Sequence, residues 1–208
     1  NYANLGQRVN AIESLKKSRA LSDTPDVLAR MITEMHHAQL TVKDIEPLVN
    51  EFVQKYPTRS DRFTLKSYVG HALLRANDKP KALAYFAELL NDDGLQASTY
   101  VQQSPNDAAT LPQVEKTLLK AISQNKTHGT NLRYVTGFEL YRDRIKDEAK
   151  GKQILKELVL QFPSNDGYTS TALSWLLYKA ADDAEFQDLV QKHLKVRTER
   201  IDWTAHRD

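Results

Sequence analysis

The chain contains no cysteine. That excludes disulfides, thiolate nucleophiles and cysteine-ligated zinc or iron–sulfur sites. The absence suits the cytosol and an export compartment equally, so location stays open. Glycine and proline are scarce, seven of each in 208 residues. A collagen-like repeat is therefore ruled out, and few tight hairpin turns are expected. No stretch stays apolar for the ~18 or more residues a membrane helix needs, so no membrane insertion is expected. Neither sign of charge dominates: 29 basic and 27 acidic side chains are interspersed, for a net charge of +2. Nucleic-acid binders usually carry a clustered basic stripe, and no such partner is expected here.

Signatures of catalysis are missing too. There is no Gly-x-Ser-x-Gly elbow, no Walker loop and no dinucleotide glycine fingerprint. His36 and His37 are adjacent, which on a helix points them about 100° apart, whereas helical metal ligands sit three or four residues apart. They read as one half-buried and one solvated histidine. His71, His128, His193 and His206 have no partner at a repeating ligand spacing. The acid pairs Asp92-Asp93 and Asp182-Asp183 fall at hairpin turns, where caps and solvation explain them. Arg142, Arg144 and Lys146, interrupted by Asp143 and Asp147, read as a mixed-charge helix end. No catalytic residue, cofactor or metal is expected.

What is present is helical periodicity. Leu5, Val9, Ile12 and Leu15 mark a first helix from about Asn4 to Ala20. Thr24 and Pro25 suit the start of a second, which carries Leu28, Ile32 and Met35 on one face. Thr41 and Asp44 offer two caps for its partner, where Pro47 is tolerable only within the first turn. That helix carries Ile45, Val49, Phe52 and Val53 and stops at Tyr56-Pro57. Such helix pairs recur about every 35 residues, at 25–57, 62–93, 95–125, 130–162 and 168–197.

The second pair is the clearest. Leu65, Val69, Leu73 and Leu74 mark one helix, and Ala82, Phe86, Leu89 and Leu90 the return. Gly70 and Ala82 are small where two backbones should cross. In the third, Ser104-Pro105 shortens the first helix, and Val114, Leu118, Leu119 and Ile122 mark the second. The fourth has Thr136 and Gly137 as its small pair, then Ala149, Gln153, Ile154 and Leu158. The fifth has Leu173, Ser174 and Leu177, then Phe186, Val190 and Leu194. Trp203 falls where a further pair would start. No sustained period-2 alternation predicts strands. Each pair alone leaves an apolar face open, which stacking covers.

At Gly70, Ala82 and Phe86 the chain resembles the tetratricopeptide repeat family, which places a small residue on the first helix, another early on the second, and an aromatic one turn later. The fourth pair keeps Gly137 and Ala149 but has Gln153 in the aromatic slot. Pro57 and Pro163 fall near the family's inter-repeat proline. The resemblance covers residues 25–197. It implies an all-α, right-handed solenoid of antiparallel hairpins, a single repeat domain that belongs to a longer protein, and peptide binding in the concave groove of the first helices.

Aligned on the small residues, that inner face carries His71, Leu74 and Arg75, then Phe138, Tyr141 and Arg142, then Trp175, Tyr178 and Lys179. Each group sets a basic residue beside an apolar or aromatic one. Aromatics supply contact area at low entropic cost, and Arg or Lys can meet a carboxylate. The expected ligand is an extended acidic or aromatic-containing peptide. The more ordinary alternative is that the aromatics pack between repeats and the cations solvate the surface. Three functions stay open: an interaction scaffold, a structural spacer or docking arm of an enzyme, secretion or envelope-assembly protein, and an all-α enzyme with a site assembled from remote residues.

Overall fold

The computed structural model describes residues 2–92, 94, 96–125, 129–162, 167–179, 187–188, 190–193 and 195. Among these there is no strand: every regular element is helical. The helices are α1 (Tyr2–Leu21), α2 (Pro25–His37), α3 (Val42–Lys55), α4 (Arg62–Arg75), α5 (Lys79–Asp92), α6 (Ala97–Gln103), α7 (Leu111–Gln124), α8 (Thr130–Val135), α9 (Glu148–Gln161) and α10 (Gly167–Lys179). Between α8 and α9 the chain is π-helical over Thr136–Ile145. The fold is all-α, as the periodicity implies. Phe186, Leu194, Trp203, the pair Asp182-Asp183, His128 and His206 lie outside the described residues.

Local chemistry sets the helix ends. Thr24 caps α2 by accepting from the Val27 amide at 3.4 Å, with Pro25 at the first helical position. Thr41 caps α3, and Asp44 reaches back to accept from both the Thr41 amide (3.0 Å) and its hydroxyl (2.6 Å). This box fixes the start at Val42, so Pro47 stands inside the helix rather than in its first turn. Its missing amide leaves the Lys43 carbonyl without the usual i+4 donor. Both α2 and α4 close with the same turn. Gln39 and Asn77 adopt φ of 59°, and the amides of Leu40 and Asp78 bond back to the carbonyls of Met35 and Leu73 at 3.0 Å.

The chain divides into two compact units, Asn1–Asp92 and Asp93–Asp208. In the first, each helix packs on the next, and α2 also packs on α4. Its core holds Ile12, Leu28, Ile32, Met35, Ile45, Val49, Phe52, Leu65 and Val69. Gly70 lies under the Phe86 ring: a β-carbon there would come within 2.5 Å of it. Phe86 and Ala82 are fully buried, and the small residue meets the aromatic one as the spacing implies.

In the second unit, α6 packs on α8, and α8 on both α9 and α10. Phe138, Leu155, Leu158, Val159, Ala172 and Leu176 form one cluster of its core, with Trp175 and Val190 against it. Three expectations are corrected here. Ala149 and Gln153 are exposed, and the crossing partner of Gly137 is Gly151, with Leu155 in the aromatic slot. A β-carbon on Gly137 would lie 2.6 Å from Leu155 Cγ, and one on Gly151 would lie 3.0 Å from the Gly137 carbonyl oxygen. The π segment causes the offset, because i→i+5 bonding spends an extra residue per turn. Leu119 is exposed at 37%. In α10 the buried stripe is Thr169, Ala172 and Leu176, one residue off the expected Leu173, Ser174 and Leu177, and Leu177 is exposed.

Candidate functional site

The first unit gathers three histidines and an arginine on the α2 and α4 faces. The His36 ring stacks on Tyr68, with centroids 3.9 Å apart and planes within 8°. His37 is 5.5 Å and His71 5.9 Å from His36. His71 meets the edge of Phe86 at 5.4 Å, which ties this face to the buried crossing. Arg75 reaches over the end of α2, donating to the Leu40 carbonyl at 3.3 Å. His36 is half-buried and His37 exposed, as the adjacent pair implies. His71 and Leu74 are half-buried and Arg75 is exposed. His71 and Arg75 come together there with His36, His37 and Tyr68.

The electrostatics of this face are one-sided. Helix α4 carries no acidic residue. The two acids of α2 that could compensate are engaged elsewhere, Glu34 with Arg8 at 2.7 Å and Asp26 with Arg59 at 2.8 Å. Burial, and then the positive field of Arg75, His71 and His37, pushes His36 down to about 4. Burial and Arg75 lower His71 as well. His36 Nδ1 is buried with no hydrogen-bond partner. Among the described residues no group of three His, Asp or Glu side chains is placed to hold a metal ion.

The second unit treats its expected residues differently. Phe138 is 4% exposed and Tyr141 2%. Their exposure on an inner face is thus corrected: both are packing residues. The π segment turns them inward. Phe138 meets Trp175 edge-on at 5.4 Å and Tyr134 at 4.8 Å. The Tyr141 hydroxyl donates to Glu115 Oε1 at 2.7 Å, and Lys150 donates to the same oxygen at 2.9 Å. Burial, then the Glu115 hydrogen bond, pushes the phenol up. Burial alone would raise Glu115, but Lys150 and Tyr141 outweigh it and hold the carboxyl low.

Arg142 lies over the Phe138 ring at 4.7 Å and pairs with Asp143 at 2.6 Å. Lys179 pairs with Glu148 at 3.6 Å. Trp175 is half-buried, whereas Tyr178 is 83% exposed. Of the six residues expected on this unit, Tyr178 is the one that offers a large open apolar surface.

Sequence reasoning missed two features. It set His36 aside as a failed metal ligand, although His36 and His71 stand 35 residues apart, one repeat period. It also missed the π segment. Gly137 and Gly151 were its signal, since two glycines facing one another permit close backbone approach.

A cavity of about 400 Å³ between α1 and α2 is lined by Lys16, Arg19, Ala20, Asp23 and Met31. Its charges are internally matched. Lys55 bridges Asp23 (2.7 Å) and Glu51 (2.6 Å), and Arg19 pairs with the same two acids. In the second unit Arg133 is 4% exposed, yet it is a packing cation. It sits over the Phe162 ring at 5.2 Å and donates to the Gly129 carbonyl at 3.4 Å. No described helix is long and apolar enough to cross a membrane.

Compared with family models, curated proteins and solved structures, the chain has no significant match to any of them.

Proposed function

We propose that this chain is a noncatalytic interaction segment of the tetratricopeptide type, each unit a stretch of right-handed α-solenoid. One observation carries the reading: within each unit helices pack on the next but one, α2 on α4, α6 on α8 and α8 on α10. Stacked hairpins make that pattern, because each first helix lies beside the next first helix. The Gly70–Ala82–Phe86 crossing supports it further. The working surface is the α2/α4 face of the first unit, with Tyr68, His71, Leu74 and Arg75. The partner is a protein or peptide with acidic and aromatic side chains.

A second reading, a structural spacer or docking arm, is favoured for the second unit by the burial of Phe138 and Tyr141. There, aromatic area goes into holding the hairpins together. Testing starts with a partner isolated on the immobilised chain, then purified and titrated by calorimetry against Arg75→Ala and Trp175→Ala/Tyr178→Ala. The scaffold reading expects Arg75→Ala to weaken binding by tenfold or more. Equal affinity for every variant, with helicity intact, removes the groove. Loss only with the Trp175/Tyr178 pair would move the surface to the second unit.

A further inference from the structure

Resting on that reading of the first unit, we infer that its α2/α4 face takes a carboxylate-bearing peptide in a proton-linked way, with His36 and His71 gaining protons as the peptide binds beside Arg75. Three observations lead there. The first is an uncompensated cation. Arg75 forms no ion pair among the described residues, where its guanidinium donates to the Leu40 carbonyl. Arg8, Arg19 and Arg59 of the same unit pair with carboxylates, and Arg75 is the arginine set beside the two histidine rings.

The second is the company that cation keeps. The groups that act on His36 are Arg75, His71 and His37, and on His71 only Arg75. Helix α5 presents Phe86 to His71, and the charged groups that shift the two rings lie on α2 and α4. An acid is what this face lacks. A carboxylate is what relieves it, by meeting the guanidinium in charge-assisted hydrogen bonds and favouring the imidazolium over the imidazole.

The third is the poise of the rings. His36 and His71 hold back from protonation because of burial and Arg75. A bound carboxylate offsets the field of Arg75 and pairs with an imidazolium, so the rings' affinity for protons rises in the complex. Linkage is reciprocal: if peptide raises proton affinity, protons raise peptide affinity by the same factor. Tyr68, stacked on His36, supplies the apolar surface that distinguishes a peptide from a bare anion.

The probe is the peptide acetyl-Glu-Asp-Trp-Glu-Asp-amide, read by tryptophan fluorescence anisotropy on the full chain at pH 5.8 and 7.5 and one ionic strength. Histidine Cε1–H shifts are followed in parallel by NMR. The proton link expects binding at least fivefold tighter at pH 5.8. It also expects the His36 and His71 midpoints to rise on adding peptide. His36→Gln/His71→Gln should bring the two affinities within twofold while helicity by circular dichroism is kept, which separates these rings from the rest of the protein's charge. Arg75→Ala should weaken binding at both pH values.

Binding that is equal at the two pH values and sensitive to Arg75→Ala overturns the proton link and leaves the scaffold reading standing. No binding at either pH overturns both for this face. Competition by inorganic phosphate at the same concentration as the peptide overturns the peptide as ligand.

Discussion

The second and fourth hairpins solve one problem in two ways. Both must bring helix backbones together, and both put glycine at the first position. In the second hairpin, regular α-helix carries Gly70 to Ala82 twelve residues on, and Phe86 closes the gap. In the fourth, ten residues of π-helix displace the meeting point to Gly151, fourteen residues from Gly137, and Leu155 closes it. The first design leaves the first-helix face open to carry His71 and Arg75. The second rolls Phe138 and Tyr141 into the core. One change of backbone winding therefore decides whether aromatics near a crossing are surface or packing.

The sharpest way to break this comparison is to empty both slots. Phe86→Ala should cost about 3–5 kcal/mol and Leu155→Ala about 2–5 kcal/mol, read by urea unfolding. Gln153, which occupies the slot in a purely α-helical alignment, is exposed, so Gln153→Ala should stay within about 0.5 kcal/mol. A Gln153→Ala loss as large as that of Leu155→Ala would return the fourth hairpin to the regular register.

Filling the crossings has a smaller effect. Gly70→Ala drives a β-carbon to 2.5 Å from the buried Phe86 ring, and Gly137→Ala drives one to 2.6 Å from Leu155. Overpacking costs about 1–3 kcal/mol, and the helix propensity of alanine returns about 0.8–1.0 kcal/mol. Each variant should lose about 0–2 kcal/mol net. Gly70→Ala should lose more, since a phenyl ring yields less readily than a leucine with other rotamers. Thermal melts showing either variant stabilised would mean that the helices can part at little cost.

The π segment itself is held from two sides. Glu139 accepts from Ser98 at 2.8 Å and Arg144 donates to the Ser104 carbonyl at 3.0 Å, both on the α6 side. Tyr141 donates to Glu115 on α7. Tyr141→Phe removes a bond to a charged acceptor that keeps Lys150, so the cost should fall near 1.5 kcal/mol. Amide exchange over Thr136–Ile145 should quicken at the same time. Unchanged exchange would show that α6 alone fixes the winding.

How much of this could be read beforehand follows the same division. Regular α-helix is legible because its apolar period is fixed. The stripes Leu28–Ile32–Met35 and Ile45–Val49–Phe52 and the Gly70 crossing all lie where the spacing puts them. Both cap candidates of α3 serve in one box, and that places Pro47 beyond the first turn. After Thr136 the count slips, because a period of 3.6 no longer describes the backbone. The slip carries Ala149 and Gln153 out of the core and Phe138 and Tyr141 into it. A one-residue slip in α10 likewise exposes Leu177 and buries Leu176. At the candidate site, the register alone set His71 and Arg75 one turn apart on one helix face. Their link to His36 and Tyr68 was not legible, since it depends on how neighbouring hairpins stack.

The smallest expected effect lies in acid, and it separates the two units by their chemistry. His36 holds its proton less well folded than unfolded, about 4 against an ordinary 6.5, through burial first and then Arg75, His71 and His37. Between those values the unfolded chain takes up the proton and the folded chain does not. Stability is therefore fully present above about pH 6.5 and declines as pH falls toward about 4. The ring is partly open to solvent, which screens the effect to about 1 kcal/mol. Asp23 and Glu51, held low mainly by Lys55 and then Arg19, add a second loss at lower pH, as they protonate. Urea midpoints taken between pH 7.5 and about 3 should fall in the wild type; His36→Gln should flatten the fall between about pH 6.5 and 4.5, and Lys55→Met should reduce the loss only below about 4.5. A His36→Gln profile that still follows the wild type from about pH 6.5 to 4.5 would take His36 out of the account of acid sensitivity.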